Sequence, residues 1–339
     1  MAKIKLGIGM SHTPRLVIPP EDWHHFPSFA ASMGGFVDVD GEVISGSELI
    51  KKYAGQFVEQ TKLPAWRAAY QVVEESLVRL KTAVIREKID AMIVIGDDQH
   101  ELLTRSNYPS LFVFCGDQFK MADRYARAAK QGGSSLPDAV VDKMATGFFM
   151  DKNHLYPSHA PLAKQLVTSL IAAGMTPAVA DENMADPALG VGHAFGVIVR
   201  TLLEDSRLPL VPVVVNNYFP PNQPTPQLCW RIGEVVKTAV SALPDALNIA
   251  VVASGGLSHF VVDEAWDQHI LTLMREGDPQ KLQAIPPKYL RSGNSEVMNW
   301  IAIAAACQHL QPQWDAYAPV YAQDHREGVG LAFMEWAEG

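Results

Sequence analysis

The sequence predicts an α/β protein in three layers: a mainly parallel central sheet with helices on both faces and helical insertions. Three observations carry this. Short runs rich in small and β-branched residues, Ile4 to Met10, Ala91 to Ile95, Leu210 to Val215 and the run from Ile249, read as strands buried on both faces. Stretches with helical spacing lie between them, and the alternation of the two implies parallel strands joined by crossover helices. Each strand candidate also ends in a polar or glycine- and proline-rich burst, where the chain leaves the sheet.

In chain order, Ile4 to Met10 is the first strand, and Pro14 in Ser11-His12-Thr13-Pro14 stops its pairing. Residues 19–62 are irregular, with Trp23, His24 and Phe26, and read as an insertion that acts as a lid or a subunit contact. Pro64 to Glu87 carries the clearest stripe (Trp66, Tyr70, Val73, Leu77, Leu80, Val84) and predicts a helix with Pro64 at its start. The strand Ala91 to Ile95 runs into Gly96-Asp97-Asp98-Gln99-His100-Glu101. Ser110 to Cys115 is a strand, residues 116–158 show little periodicity, Pro161 to Ala173 is a helix, and a short strand lies near Pro177 to Ala180. Gly192-His193 opens an apolar helical run to Leu203, the strand Leu210 to Val215 ends in Asn216 through Pro224, and Cys229 to Val240 is a helix. The strand from Ile249 ends in Val251 to Phe260, where Gly255 and Gly256 are expected to turn the chain sharply and leave His259 at the sheet rim. The C-terminal third reads as helical, with stripes at Trp266 to Met274 and Glu296 to Ala306. Without an internal repeat or linker, one domain spanning 1–339 is expected.

Composition narrows the class. The 28 Lys and Arg are scattered against 37 Asp and Glu, a net charge of −9, so no basic stripe exists to neutralise phosphates and nucleic acid is excluded as a partner. Three cysteines, Cys115, Cys229 and Cys307, are odd in number, far apart and unpaired in any Cys-x-x-Cys. They fit a reducing compartment. No run approaches the roughly 20 apolar residues of a membrane span, and Met-Ala-Lys-Ile-Lys-Leu lacks a signal peptide's long apolar stretch, so a cytoplasmic protein without membrane contact is expected.

His12, His100 and His259 share one structural address, a few residues beyond a strand, and parallel strands bring such ends to one edge of the sheet. His193, at a helix start, is a fourth candidate. Neutral imidazole is both a metal ligand and a proton carrier near neutral pH, and two histidines with one carboxylate form the facial triad of non-haem Fe(II) oxygenases. No His-Glu-x-x-His is present to suggest a zinc protease. Asp97, Asp98, Glu101, Glu264 and Glu296 all remain open as the carboxylate. Glu296 stands out as part of a polar start, Ser292-Gly293-Asn294-Ser295-Glu296, to a very apolar helix, where capping is the competing explanation.

Taken together and in order, Ser11-His12-Thr13-Pro14, Gly96-Asp97-Asp98-Gln99-His100, Gly192-His193, Val214-Val215-Asn216 with its proline-rich turn, Gly255-Gly256-Leu257-Ser258-His259, and Tyr289-Leu290-Arg291 through Glu296 to Trp300 resemble the class III extradiol ring-cleavage dioxygenases, especially protocatechuate 4,5-dioxygenase β subunits and the gallate and methylgallate dioxygenases. The resemblance implies Fe(II) held by His12, His100 and Glu296, His259 as acid/base, and His193 as a second catalytic histidine beside the substrate hydroxyls. The implied reaction is O2-dependent extradiol (meta) cleavage of a catechol-type aromatic diol to a ring-opened semialdehyde. The relatives carry Asn-Asp-His where this chain reads Asp97-Asp98-Gln99-His100, so an extra residue must be absorbed and a register that recruits Asp98 stays open. Arg15, Tyr218 and Phe219 are expected at the substrate. A homo-oligomer, dimer or higher, is expected, with a small helical partner subunit as an option. The competing functions are a zinc-dependent hydrolase on the same ligands and a non-catalytic binding or assembly subunit of the same fold.

Overall fold

Alternate residues of the apolar strands face two separate cores, and this sets the layers. In the computed structural model, which describes residues 1–30, 32–124, 135–203 and 206–339, strand β10 (Asn248–Ser254) sends Ile249, Val251 and Ala253 into one core and Ala250 and Val252 into the other. Every other residue is apolar on both faces because both faces are covered. The remaining strands are β1 (Lys3–Met10), β2 (Phe36–Val37), β3 (Val43–Ile44), β4 (Ala91–Gly96), β5 (Leu111–Phe114), β6 (Gln118–Met121), β7 (His154–Pro157), β8 (Ala178–Ala180), β9 (Leu210–Val215), β11 (His259–Val261), β12 (Gln311–Tyr321) and β13 (Glu327–Ala337).

Neighbouring strands β1, β10, β4 and β9 run parallel at the centre of the main sheet. Antiparallel strands close both sides. On one, β13 pairs with β1 and β11 along one edge and with β12 along the other; on the opposite side β5 is antiparallel to β9 and carries β8. The expected three-layer α/β architecture is thus present. In chain order the helices are α1 (Gly46–Tyr53), α2 (Leu63–Arg86), α3 (Asp138–Gly147), α4 (Ala160–Ala172), α5 (His193–Ile198), α6 (Pro226–Ser241), α7 (Glu264–Glu276), α8 (Pro279–Gln283) and α9 (Val297–Ala306). Residues of α4, α6, α7 and α9 fill one core; α2, α3 and α5 contribute to the other. Helix α6 starts where Thr225 Oγ1 accepts from Leu228 N, and α2 starts with a proline in its first turn, where a missing N–H costs nothing.

Two stretches differ from expectation. The C-terminal third is not helical throughout: β12 and β13 form a long antiparallel hairpin. Pro312 and Pro319, and a register shift between Pro312 and Trp314, break the period-two pattern that marks a strand, and an edge position makes the prolines tolerable. The weakly periodic 116–158 contains β6, α3 and β7, with 125–134 outside the described residues. Among the described residues no helix is long and apolar enough to cross a membrane.

Segment 19–62, apart from residue 31, packs against its own chain. Trp23 is buried and its Nε1 donates to Ile18 O, while Phe36, Leu49 and Tyr53 form a small core with Val261 of β11. Phe57 stacks on Tyr321, and the N–H groups of Gly55 and Phe57 donate to Asp324 in the β12–β13 turn. At the near end, the Glu327 carboxylate accepts from Ser28 Oγ (2.7 Å) and Phe29 N (2.8 Å).

Candidate active site

The C-terminal ends of β1, β10 and β4 lie side by side, with Met10 opposite Ser254 and Ala253 opposite Ile95. His12 therefore leaves the sheet on one side of β10 and Asp97 on the other. Glu296, just before α9, reaches the same point from the layer below. One ligand atom from each of these three buried residues lies within 4.8 Å of the others. His12 Nε2 is 3.3 Å from Glu296 Oε1 and 3.5 Å from Asp97 Oδ1.

The hydrogen bonds fix the tautomer of His12. The Ser254 hydroxyl has one proton and donates it to Ala194 O at 2.6 Å. His12 Nδ1, 3.1 Å from Ser254 Oγ, must then be the donor in that contact. In the neutral ring the Nε2 lone pair then faces the two carboxylates, the arrangement by which a second contact orients a metal-binding imidazole, and a cation bound there would displace the Nε2 proton. Asp97 Oδ1 is fully buried and has no hydrogen-bond partner among the described residues. A buried, unpartnered carboxylate oxygen is costly without a cation, so the donor set fits one. Burial raises the Asp97 carboxyl above its ordinary range against the pull of His12. Burial alone would lower the His12 imidazole, but Glu296 and Asp97 outweigh it and hold it at about 9.

Glu296 is the most heavily engaged of the three. It accepts from Gly256 N (2.6 Å) and Tyr218 Oη (2.5 Å), and His259 Nε2 lies 3.2 Å from its Oε2. Burial opposes ionisation, yet His259, His12 and these donors keep its carboxyl well below the usual range. Burial, and then the charge of Glu296, push the Tyr218 phenol well up, so it stays a donor. Gly255 and Gly256 serve space rather than the sharp turn expected of them: neither has a positive φ, but a Cβ on Gly255 would fall 2.9 Å from Glu296 Cβ and one on Gly256 2.6 Å from His259 Cε1.

His259 opens β11, where its backbone N–H donates to Asn294 Oδ1 and its Nδ1 lies 3.2 Å from Leu257 O. His193 sits at the start of α5 with its ring edge-on to His12 at 4.9 Å. Its Nδ1 is 2.7 Å from Glu101 Oε1, which also accepts the His193 backbone N–H. Burial lowers and Glu101 raises the imidazole, with a net upward shift, while His193 overcomes burial to draw the Glu101 carboxyl down to about 2. This carboxylate-oriented histidine joins residues 92 positions apart, which no local sequence pattern signals.

His100 is not brought to this group. Asp98 closes a turn by accepting from Leu102 N (2.7 Å) and Leu103 N (3.2 Å), and His100 within it takes a left-handed φ of 63°. Its ring stacks on Phe219 at 4.2 Å and its Nδ1–H donates to Leu103 O. Asp97, directly after β4, occupies the position expected of His100, and Asp98 is spent on the turn. Its carboxyl is pushed up to about 7 by burial and then by Glu101.

Two members of the group, His12 and Glu296, line a cavity of about 290 Å³ together with His193, His259, Tyr218 and Gln99, with Phe26, Phe29, Phe148 and Phe260 among its apolar walls; Asp97 is not part of the lining. Arg15 lines it too. Its guanidinium packs over Trp23 and Phe26 and donates to Trp23 O, and burial brings it down to about 9 against the opposing charge of Glu327. Phe219, expected at the substrate, stands behind the wall against His100 and Tyr108. The three cysteines are buried and free, and none lines the cavity.

Comparison with known proteins bears on this arrangement. A stretch of 89 residues is 33% identical to gallate dioxygenase of Pseudomonas putida, covering 23% of this chain and 26% of that protein, so the match spans about a quarter of the relative's length. The family model for the catalytic LigB subunit of aromatic ring-opening dioxygenase matches residues 60–334, which include β4, β10, Glu101, His193, His259 and Glu296. The chain belongs to this family of aromatic ring-opening dioxygenases.

Proposed function

We propose that the protein is a non-haem Fe(II) dioxygenase that opens a catechol-type diol by extradiol cleavage and releases a semialdehyde. The observation that carries the proposal is the buried Asp97 Oδ1, without a hydrogen-bond partner among the described residues, 3.5 Å from Nε2 of His12, which itself lines a cavity with two further histidines and Glu296. Fe(II) bound there supplies Lewis acidity that lowers the pKa of a substrate hydroxyl, and a redox-active centre for O2.

The rest of the chemistry belongs to the chain. His259 and His193 take up and return the protons of the two hydroxyls. Glu101, by holding His193 Nδ1, leaves Nε2 as the nitrogen available to substrate. Tyr218 and Gly256 N lock the Glu296 carboxylate in place. The phenylalanine walls offer an aromatic ring an apolar lining and limit water at the opened product, and Arg15 faces the substrate as a buried cation.

The test is anaerobic reconstitution with Fe(II), followed by oxygen uptake and the visible absorbance of the product across catechol, protocatechuate, gallate and methylgallate. Stoichiometric O2 consumption with one of these diols is expected. Zinc-loaded protein should consume none. Ester or amide hydrolysis by the zinc form, without oxygen uptake by the iron form, would replace this reading with that of a hydrolase.

A further inference from the structure

We propose that the cation site of this chain is built from one imidazole and two carboxylates, His12, Asp97 and Glu296, and that His100 lies outside it. The inference rests on the reading of the cavity as a metal centre. It departs from the two-histidine, one-carboxylate set that the motif order leads one to expect.

Four features converge on it. First, only His12, Asp97 and Glu296 meet the mutual-distance requirement for a shared ion among the described residues. Second, Asp97 Oδ1 is fully buried, 3.5 Å from His12 Nε2, and unpartnered, whereas its Oδ2 is met by Gln99 Nε2 at 3.4 Å. One oxygen of the carboxylate is thus held by protein and the other is left for a ligand. Third, the backbone decides which side chain is delivered. Gly96 is still in register with Val214 of β9, so Asp97 emerges directly from a sheet-anchored residue. By position 100 the turn closed on Asp98 has carried the chain off. Fourth, His100 is held where it stands by its Nδ1–H contact to Leu103 O and its stack on Phe219, with Tyr108 edge-on at 5.5 Å. Its buried Nε2 has no partner there and lies outside the cluster.

The donor exchange has chemical consequences. Two carboxylates and a neutral imidazole cancel the charge of a divalent cation, where two imidazoles and one carboxylate would leave one positive charge. Carboxylate oxygen suits Mn(II), while imidazole suits Zn(II), so the advantage that zinc ordinarily holds over Mn(II) narrows at this site. A neutral centre also acidifies a bound diol less, which places more of the proton transfer on His193 and His259.

The experiment uses the full-length apoprotein and Mn(II) as probe, with the free aqueous Mn(II) signal in electron paramagnetic resonance as readout and Zn(II) competition in parallel. Wild type should bind one equivalent. Asp97→Ala should lose more than about 100-fold in affinity, beyond the 10–100-fold typical of outer partners. His100→Phe, which keeps the stack on Phe219, should bind as wild type. Asp97→His should raise the ratio of Zn(II) to Mn(II) affinity by about tenfold or more, in line with ligand softness. Circular dichroism verifies the fold of each variant. Loss of Mn(II) in His100→Phe with retention in Asp97→Ala would overturn the proposal, as would a wild type that binds no Mn(II). Metal bound through Asp97 in a protein that opens no ring would leave this assignment standing and remove the dioxygenase reading instead.

Discussion

At the residue scale, what each ring nitrogen touches distinguishes the histidines proposed to move protons from the one proposed to bind the ion. His12 has its Nδ1 satisfied by Ser254 and its Nε2 aimed at two carboxylates, while His193 is held by Glu101 alone. His259 is intermediate, because its Nε2 lies near Glu296 but its backbone belongs to β11, which pairs with β13 rather than with β10 or β4. The candidate ion-binding group does not include it, which is why acid/base work is the role proposed for it. Replacing it by Phe should keep Mn(II) or Fe(II) affinity within a few-fold and lower kcat by about 10²–10⁴, the usual worth of a general acid/base. Metal titration and oxygen uptake on the same preparation check both halves. Equal loss of metal and of turnover would make His259 a ligand.

At the element scale, the histidine and glutamate positions that could be read from sequence are those whose placement depends on one strand or one helix. His12 follows β1 within two residues, and Glu296 stands at the polar start of an apolar helix; both lie where that reasoning puts them. The register of 97–100, open in the sequence between His100 and Asp98, is not legible there, because it turns on a loop closed by the Asp98 side chain onto two backbone N–H groups, which leaves Asp97 beside His12. Nor was the β12–β13 hairpin, whose prolines hide its period. The insertion 19–62 was visible as an irregularity, but its anchor was not: Glu327, some 300 residues away, holds Ser28 and Phe29 over the cavity. Each of these bonds to a buried carboxylate contributes about 1.5–3 kcal/mol. Glu327→Ala should therefore loosen residues 26–29, raise KM for the diol more than it lowers kcat, and speed proteolytic cleavage within 19–62. Steady-state kinetics and a limited-proteolysis time course measure this. Unchanged KM and cleavage would assign the anchoring to the aromatic contacts Phe29–Phe260 and Phe57–Tyr321.

At the scale of the whole molecule, the site depends on how closely α9 approaches the sheet. Glu296 immediately precedes this helix, and Trp300, one turn further, is wholly buried with its Nε1 donating to Gly255 O. The same indole lies against β1 so tightly that a Cβ on Gly9 would fall 2.3 Å from Trp300 Cζ3. One tryptophan thus ties β1, which leads to His12, to the loop after β10 and to the helix that carries Glu296. The small residue at position 9 is what permits this three-way contact. Gly9→Ala should overpack it, costing about 1–3 kcal/mol of stability. Trp300 belongs to α9 and is bonded to Gly255 O, so displacing the indole is expected to carry strain to Glu296 and its bond from Gly256 N. Metal affinity should fall along with the urea midpoint, although residue 9 is not one of the proposed ligands. A destabilised variant with wild-type Mn(II) affinity would show instead that the sheet absorbs the strain before it reaches the site.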